Sequence, residues 1–177
     1  MNFSYAEKWS RSYKEAIHPL TEVQARKRHE TRYSEVVRKR SGWKKALYTV
    51  LIGDPAKPSA FIEIVSFDSV HVEFLDELLR ITGYYQFVMR PDGRLFMGAA
   101  AFSRFDDNGK KPAWNSRFSF KTDGFTMCFE DDPNDPKVEI VTEKRMDVSL
   151  NWEPYPEFGK YESIARFERG KSRLSTA

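Results

Sequence analysis

The chain has 177 residues, with 29 Lys and Arg against 26 Asp and Glu, a net charge of +3, and one cysteine, Cys128. A chain this long buries roughly 70% of its unfolded surface and needs no covalent staple, and one cysteine excludes an intrachain disulfide. No run approaches the ~18 apolar residues of a membrane span, and Met1–Trp9 lacks the apolar core of a signal peptide. The expectation is therefore a cytoplasmic protein without a membrane partner.

The charge is unevenly spread. Residues 1–45 carry 12 Lys and Arg and 5 Asp and Glu, a net of +7; the remaining 17 and 21 leave residues 46–177 at −4. Thirteen of the 14 Phe lie between Phe61 and Phe167, which supplies packing material to the acidic part. The sequence reads as a single domain: a basic helical arm over 1–42, packed on a strand-rich body over 43–168, with a flexible tail over 169–177.

In the arm, Tyr5, Trp9, Tyr13 and Ile17 recur every four residues, and Ser4 with Glu7 has the spacing of a capping box. This predicts a first amphipathic helix that ends at Pro19. Thr21 and Gln24 form a second capping-box pair, opening a helix over about Glu22 to Arg40. On a helical wheel Val23, Tyr33, Val36 and Val37 gather on one side and Arg28, Arg32 and Lys39 on the other. Arg26 and Glu30 fall in the apolar sector, with His29 at its edge. Two readings fit the basic ridge and its exit through Arg40, Lys44 and Lys45. One is a solvated helix face. The other is a docking surface for phosphates or an acidic protein. Arg26, His29 and Glu30 must be paired, near the surface or part of a pocket, because an isolated buried charge is costly.

The body reads as a succession of strands. Ala46–Ile52 is apolar at successive positions, as in a central strand covered on both faces. Ala60–Phe67 is the next strand, with Glu63 as its one charge. Phe74, Leu75, Leu78, Leu79 and Ile81 follow helical spacing, which predicts an inserted helix capped by Asp68 or Ser69 and stopped by Gly83. The alternation Val70-His-Val-Glu-Phe74 makes strand the rival reading of its first half. Tyr84–Arg90 and Arg94–Phe105 flank Pro91-Asp-Gly93, a strong hairpin signal. Within the second of these strands Gly98–Ala101 is narrow enough to let something bulky lie against the sheet. Trp114–Lys121 and Phe125–Glu130 alternate cleanly around Thr122-Asp-Gly124. Val138–Thr142 and Met146–Trp152 continue the alternation, and Tyr161–Glu168 is a last, weaker candidate that would also fit a helix.

The predicted fold is α+β: an N-terminal pair of amphipathic helices and one inserted helix packed on a largely antiparallel, curved or barrel-like sheet of about eight strands.

Chemistry-bearing patterns are weak. His18, His29 and His71 are not at a metal spacing, and one cysteine makes no structural zinc site. Asp131-Asp-Pro-Asn-Asp-Pro136 and Asp106-Asp-Asn-Gly109 miss the calcium-loop pattern. Asp135, Glu139, Glu143 and Lys144 fit no tight nuclease arrangement. Cys128 lies among apolar neighbours, as an inert packed thiol does, and no glycine-rich phosphate loop occurs. No metal, cofactor or catalytic residue is assigned.

Trp152-Glu-Pro-Tyr-Pro-Glu-Phe158 is stiff and aromatic, suited either to docking or to covering a core edge. The leading expectation is a non-enzymatic protein-binding factor of the inhibitor, immunity or adaptor kind. Its partner surface would comprise Arg28, Arg32, Lys39, Arg40, Lys44, Lys45, Trp152, Tyr155 and Phe158, matched to a protein that could carry an acidic surface. A nucleic-acid-binding factor using the basic helix face is the second expectation. A small-ligand binder or enzyme with a helix–sheet pocket at Arg26, His29, Glu30 and His71 is the third.

Overall fold

The computed structural model describes residues 1–31, 47–66, 68–106, 109, 111–132, 135 and 137–169. They form one eleven-stranded, antiparallel sheet and one helix. In chain order these are β1 (Phe3–Ser10), β2 (Glu15–Leu20), α1 (Glu22–Glu30), β3 (Tyr48–Asp54), β4 (Lys57–Ser66), β5 (Ser69–Leu75), β6 (Ile81–Met89), β7 (Arg94–Arg104), β8 (Trp114–Phe120), β9 (Phe125–Asp131), β10 (Glu139–Arg145) and β11 (Trp152–Pro154). The hydrogen-bonded order is β10-β9-β8-β7-β6-β5-β4-β3-β1-β2, with β11 on the far end of β7. The meander therefore runs outward from β3 to β10, and the N-terminal hairpin closes the other side.

The three-helix α+β expectation is overturned. The first predicted helix is the β1–β2 hairpin. A four-residue spacing is close to the helical repeat but is also a multiple of the strand period, so it selects neither. Aromatic content then favours the pleated form. Ser4 and Glu7 both lie within β1, so their capping box does not form. Arg11–Lys14 make the turn, where the Lys14 N–H donates to the Ser10 carbonyl at 2.7 Å and Lys14 takes a positive φ of 55°. Pro19 sits in β2, an edge strand, where its missing N–H costs no ladder bond.

The inserted helix is absent as well. Val70, Val72 and Phe74 are buried on one face of β5, as the rival alternation required. The chain then turns through Asp76–Arg80. The Asp76 carboxylate accepts the backbone N–H groups of Leu78 and Arg80, at 2.9 and 2.8 Å, which fixes a turn where helical spacing had pointed to a helix. Gly83 is not a helix stop but a site of close approach. A Cβ there would lie 2.7 Å from the Phe167 ring.

α1 does form, and Thr21 and Gln24 complete the capping box seen in the sequence. Its continuation to Arg40 lies outside the described residues. Its orientation differs from the wheel: Ala25 and His29 are buried, while Val23 is 77% exposed.

The strand readings over β3, β4 and β6–β9 hold, and Gly93 supplies the positive φ of the Pro91-Asp-Gly93 turn. Beyond β10 the alternation predicted over Met146–Trp152 is broken. Asp147 accepts the Ser149 N–H at 2.8 Å, Ser149–Asn151 make a short 3-10 turn, and only Trp152–Pro154 return to the sheet.

One sheet face carries the main core, from Tyr48, Val50 and Ile62 through Phe87 and Met97 to Phe118 and Phe120. It is covered by α1 and by the irregular segment 148–169, which contributes Val148, Tyr161 and Ile164. We call this the inner face. On the outer face Trp9, Leu51 and Phe61 form a second cluster, backed by Ala16, Leu75 and Leu79. β1 pairs with β3 only as far as Ala6, and past that point Trp9 lies against Phe61 with ring centroids 5.8 Å apart.

Among the described residues, no helix is long and apolar enough to cross a membrane.

Candidate functional site

Three places concentrate chemistry: a charged cluster on the outer face, an aromatic seam under α1, and the β10 edge.

The outer cluster is built by register. Glu63 of β4 stands opposite His71 of β5, and Glu73 of β5 stands opposite Tyr84 of β6. Alternation fixes their direction. Val70, Val72 and Phe74 point into the inner core, so His71 and Glu73 must point outward. The hairpin turn then delivers Arg11 from above. Its Nε lies 3.1 Å from both Glu73 oxygens, and its Nη2 bonds Glu73 and, at 3.0 Å, Glu63.

His71 Nδ1 is 3.9 Å from Glu63 Oε2, and its ring meets Tyr84 edge-on. Burial dominates the titration of this group. It pushes the Glu73 carboxyl up, with Arg11 opposing. It lowers the His71 imidazole, so His71 favours its neutral form. It raises the Tyr84 phenol to about 12. Arg11 itself is held firmly protonated by Glu73. With both carboxylates engaged by one guanidinium fork, the cluster acts as a clasp that pins the hairpin tip to the outer face.

Beside it opens a cleft of ≈ 690 Å³ between the tip (Trp9, Arg11, Lys14) and the β5–β6 turn (Leu78, Leu79, Arg80). Its cations are internally engaged: the Lys14 ammonium donates to the Leu78 carbonyl at 2.7 Å, and Arg80 pairs with Asp76.

The seam under α1 contains half of the sequence-predicted residues that the structure describes. His29 Nδ1 is 2.7 Å from the Tyr48 hydroxyl, which is 3.1 Å from the Tyr161 hydroxyl. Tyr161 in turn bonds Tyr5. Burial raises the Tyr48 phenol well above its usual range and the Tyr5 phenol to about 12. Phe158 stacks on Tyr5 with centroids 5.1 Å apart, and the Arg26 guanidinium lies 4.4 Å above the Phe158 ring while also bonding Glu22.

Tyr155 reaches the Ser66 carbonyl at 3.4 Å. Trp152 packs on Phe96 beneath Arg94. Arg28 turns toward the sheet, where it bonds Glu7 and, at 3.1 Å, the Leu47 carbonyl. Glu30 is exposed. Arg26, His29, Tyr155 and Phe158 thus meet in one seam, whereas His71 lies on the opposite face of the sheet. Arg32, Lys39, Arg40, Lys44 and Lys45 lie outside the described residues. Arg11, Glu63 and Glu73 were missed. Reading Val70–Phe74 as a strand would have put His71 and Glu73 on one face.

The β10 edge is different in kind. The Asp132 N–H donates to the Val138 carbonyl and the Met146 N–H to the Gly124 carbonyl, which fixes the parity of the β9–β10 ladder. Even-numbered residues of β10 turn their backbone groups toward β9. Those of Glu139, Val141, Glu143 and Arg145 therefore point away from the sheet. Among the described residues no strand pairs with this row. Ile140 and Val141 are 44% and 52% exposed, on opposite faces of the strand.

No family model, no curated protein and no solved structure matches this chain.

Proposed function

We propose that the chain is a non-enzymatic protein-binding factor that takes its partner by strand addition at β10. The observation supporting this reading is the row of backbone groups on Glu139, Val141, Glu143 and Arg145, which pairs with no strand among the described residues and is flanked by exposed Val138, Ile140 and Val141. An open edge of this sort templates an extended segment: main-chain bonds give affinity, and alternate side chains give selectivity. The opposite edge suits the role less well, since β2 carries Pro19 and a positive φ of 50° at His18. One cysteine, buried on β9, suits a reducing cytoplasmic setting for this factor.

The test uses Val141→Pro. The Val141 N–H points outward, so proline there deletes an edge donor and leaves the β9–β10 bonds in place. Random heptapeptides displayed on phage should enrich alternating, strand-forming sequences on the wild type and not on Val141→Pro. Equal enrichment on both would remove β10 as the docking edge.

A further inference from the structure

We infer that the strand β10 accepts is β10 of a second copy of this chain, giving a twofold dimer centred on Thr142. The inference rests on the strand-addition reading above and adds the identity of the occupant. Symmetry limits the choices. In an antiparallel pair related by a twofold axis, each residue must face a partner of its own parity, because facing side chains share one side of the sheet. The outward-directed backbone groups belong to the odd-numbered residues, so odd must also meet odd for the bonds to form.

Among such registers the charges of β10, together with pairing of the whole strand, select one; centring on Ile140, for example, pairs only Glu139–Val141 of the strand. With Thr142 on the axis, Glu139 faces Arg145 of the other copy at both ends of the strand. Val141 then faces Glu143, and Ile140 lies along the aliphatic stem of Lys144. All seven residues overlap, and no like charges stand directly opposite. Centring on Val141 instead places Glu139 against Glu143 twice. Centring on Glu143 places that residue against itself. Exposed apolar surface at Ile140 and Val141 is covered from both sides in the Thr142 register. A pairing of seven residues is about 24 Å long, which puts the dimer in the weak, transient class of interfaces.

Sedimentation velocity of the full chain from about 1 μM to about 1 mM should show a concentration-dependent monomer–dimer equilibrium. Glu139→Arg or Arg145→Glu alone should weaken it roughly tenfold, since each reverses two facing pairs. The two together should restore most of that loss relative to Glu139→Arg. The register has its own readout. Thr142 is a non-hydrogen-bonded position against its own copy, with Cα atoms about 4.5 Å apart, within disulfide reach.

Under mild oxidation Thr142→Cys should form a covalent dimer and Ile140→Cys should not, because Ile140 faces Lys144. Both variants carry Cys128→Ala, since Cys128 stands opposite Thr142 within one copy. A wild type that stays monomeric throughout the range overturns the inference, as does equal cross-linking at 140 and 142. If the phage selection still depends on Val141 in that case, the edge accepts a foreign strand and only the second copy is excluded. If the selection is also indifferent to Val141→Pro, the strand-addition reading falls with it.

Discussion

Removing Arg11 tests whether the outer clasp is held by charge or by packing. The Glu73 side chain is 4% exposed, and Arg11 is its cationic partner. Breaking a fully buried pair by deleting one partner costs about 3–5 kcal/mol. The Arg11 side chain is 47% exposed, so water and salt screen part of the interaction, and about 2 kcal/mol is the expected loss for Arg11→Ala at pH 7. For a chain of this size that is a fall in Tm of about 4–8 °C.

The loss should depend on pH in a set direction. Burial places the folded pKa of Glu73 above its unfolded value of 4.5. The unfolded state therefore binds fewer protons between the two values, and stability falls as pH rises through that window. Below the unfolded value Glu73 is protonated in both states and the penalty vanishes. Thermal melts of wild type and Arg11→Ala should accordingly converge as pH falls toward about 4. The double variant Arg11→Ala/Glu73→Gln should recover most of the loss at pH 7, because a neutral amide needs no counter-ion. If the double variant is as unstable as Arg11→Ala, and the gap is the same at pH 4 and pH 7, the loss comes from Arg11 packing over Phe61 and the charge argument fails.

Other sites give independent expectations. Arg169 is buried and donates to Glu153 and to the Leu150 and Ser163 carbonyls, so Arg169→Ala should cost about 3 kcal/mol, read as a lower urea midpoint. Tyr161→Phe removes the hydroxyl that joins Tyr48 to Tyr5, but Tyr48 keeps His29. The loss should be about 1 kcal/mol with an unchanged m-value. Glu7 is held at about 2, below the ordinary 4.5, chiefly by its hydrogen bond from Arg28. A depressed carboxylate contributes stability above its unfolded pKa and loses it as pH falls through the folded value. Glu7→Gln should therefore flatten the acid limb of the stability curve between those two values, and an unchanged limb would count against the Arg28 contact.

What the sequence disclosed was set by how far each signal could be read locally. The strands β8 and β9 were legible because one face is buried and the other wet, which writes period two into the residues. The Thr21–Gln24 cap was legible because its partners are three residues apart. The β1–β2 hairpin was not, since Tyr5 and Trp9 serve opposite faces of the sheet and their shared spacing conceals it. Leu75 and Leu79 imitated a helix for a similar reason: they pack on the outer cluster, which only the folded hairpin creates. His29 was legible as unusual because a charged or polar group beside apolar positions needs a partner. Its partner, Tyr48, lies nineteen residues away and across the helix–sheet seam.

The uneven charge has a structural use that its net value hides. Arg11 crosses from the basic N-terminal part to Glu63 and Glu73 of the acidic body. Arg28 and Lys14 donate to body carbonyls at Leu47 and Leu78, and Arg28 also neutralises Glu7. Arg11 and Arg28 contribute little field to the surroundings, because their carboxylates lie within a few ångströms, well inside the roughly 8 Å Debye length of physiological salt. Basic residues gathered at one end of a chain thus need not announce an anionic partner. Here, over the described residues, they hold one part of the protein to the other. Among the described residues no strand engages the outward row of backbone groups on β10, and that open row, rather than the engaged cations, is what offers a partner new hydrogen bonds.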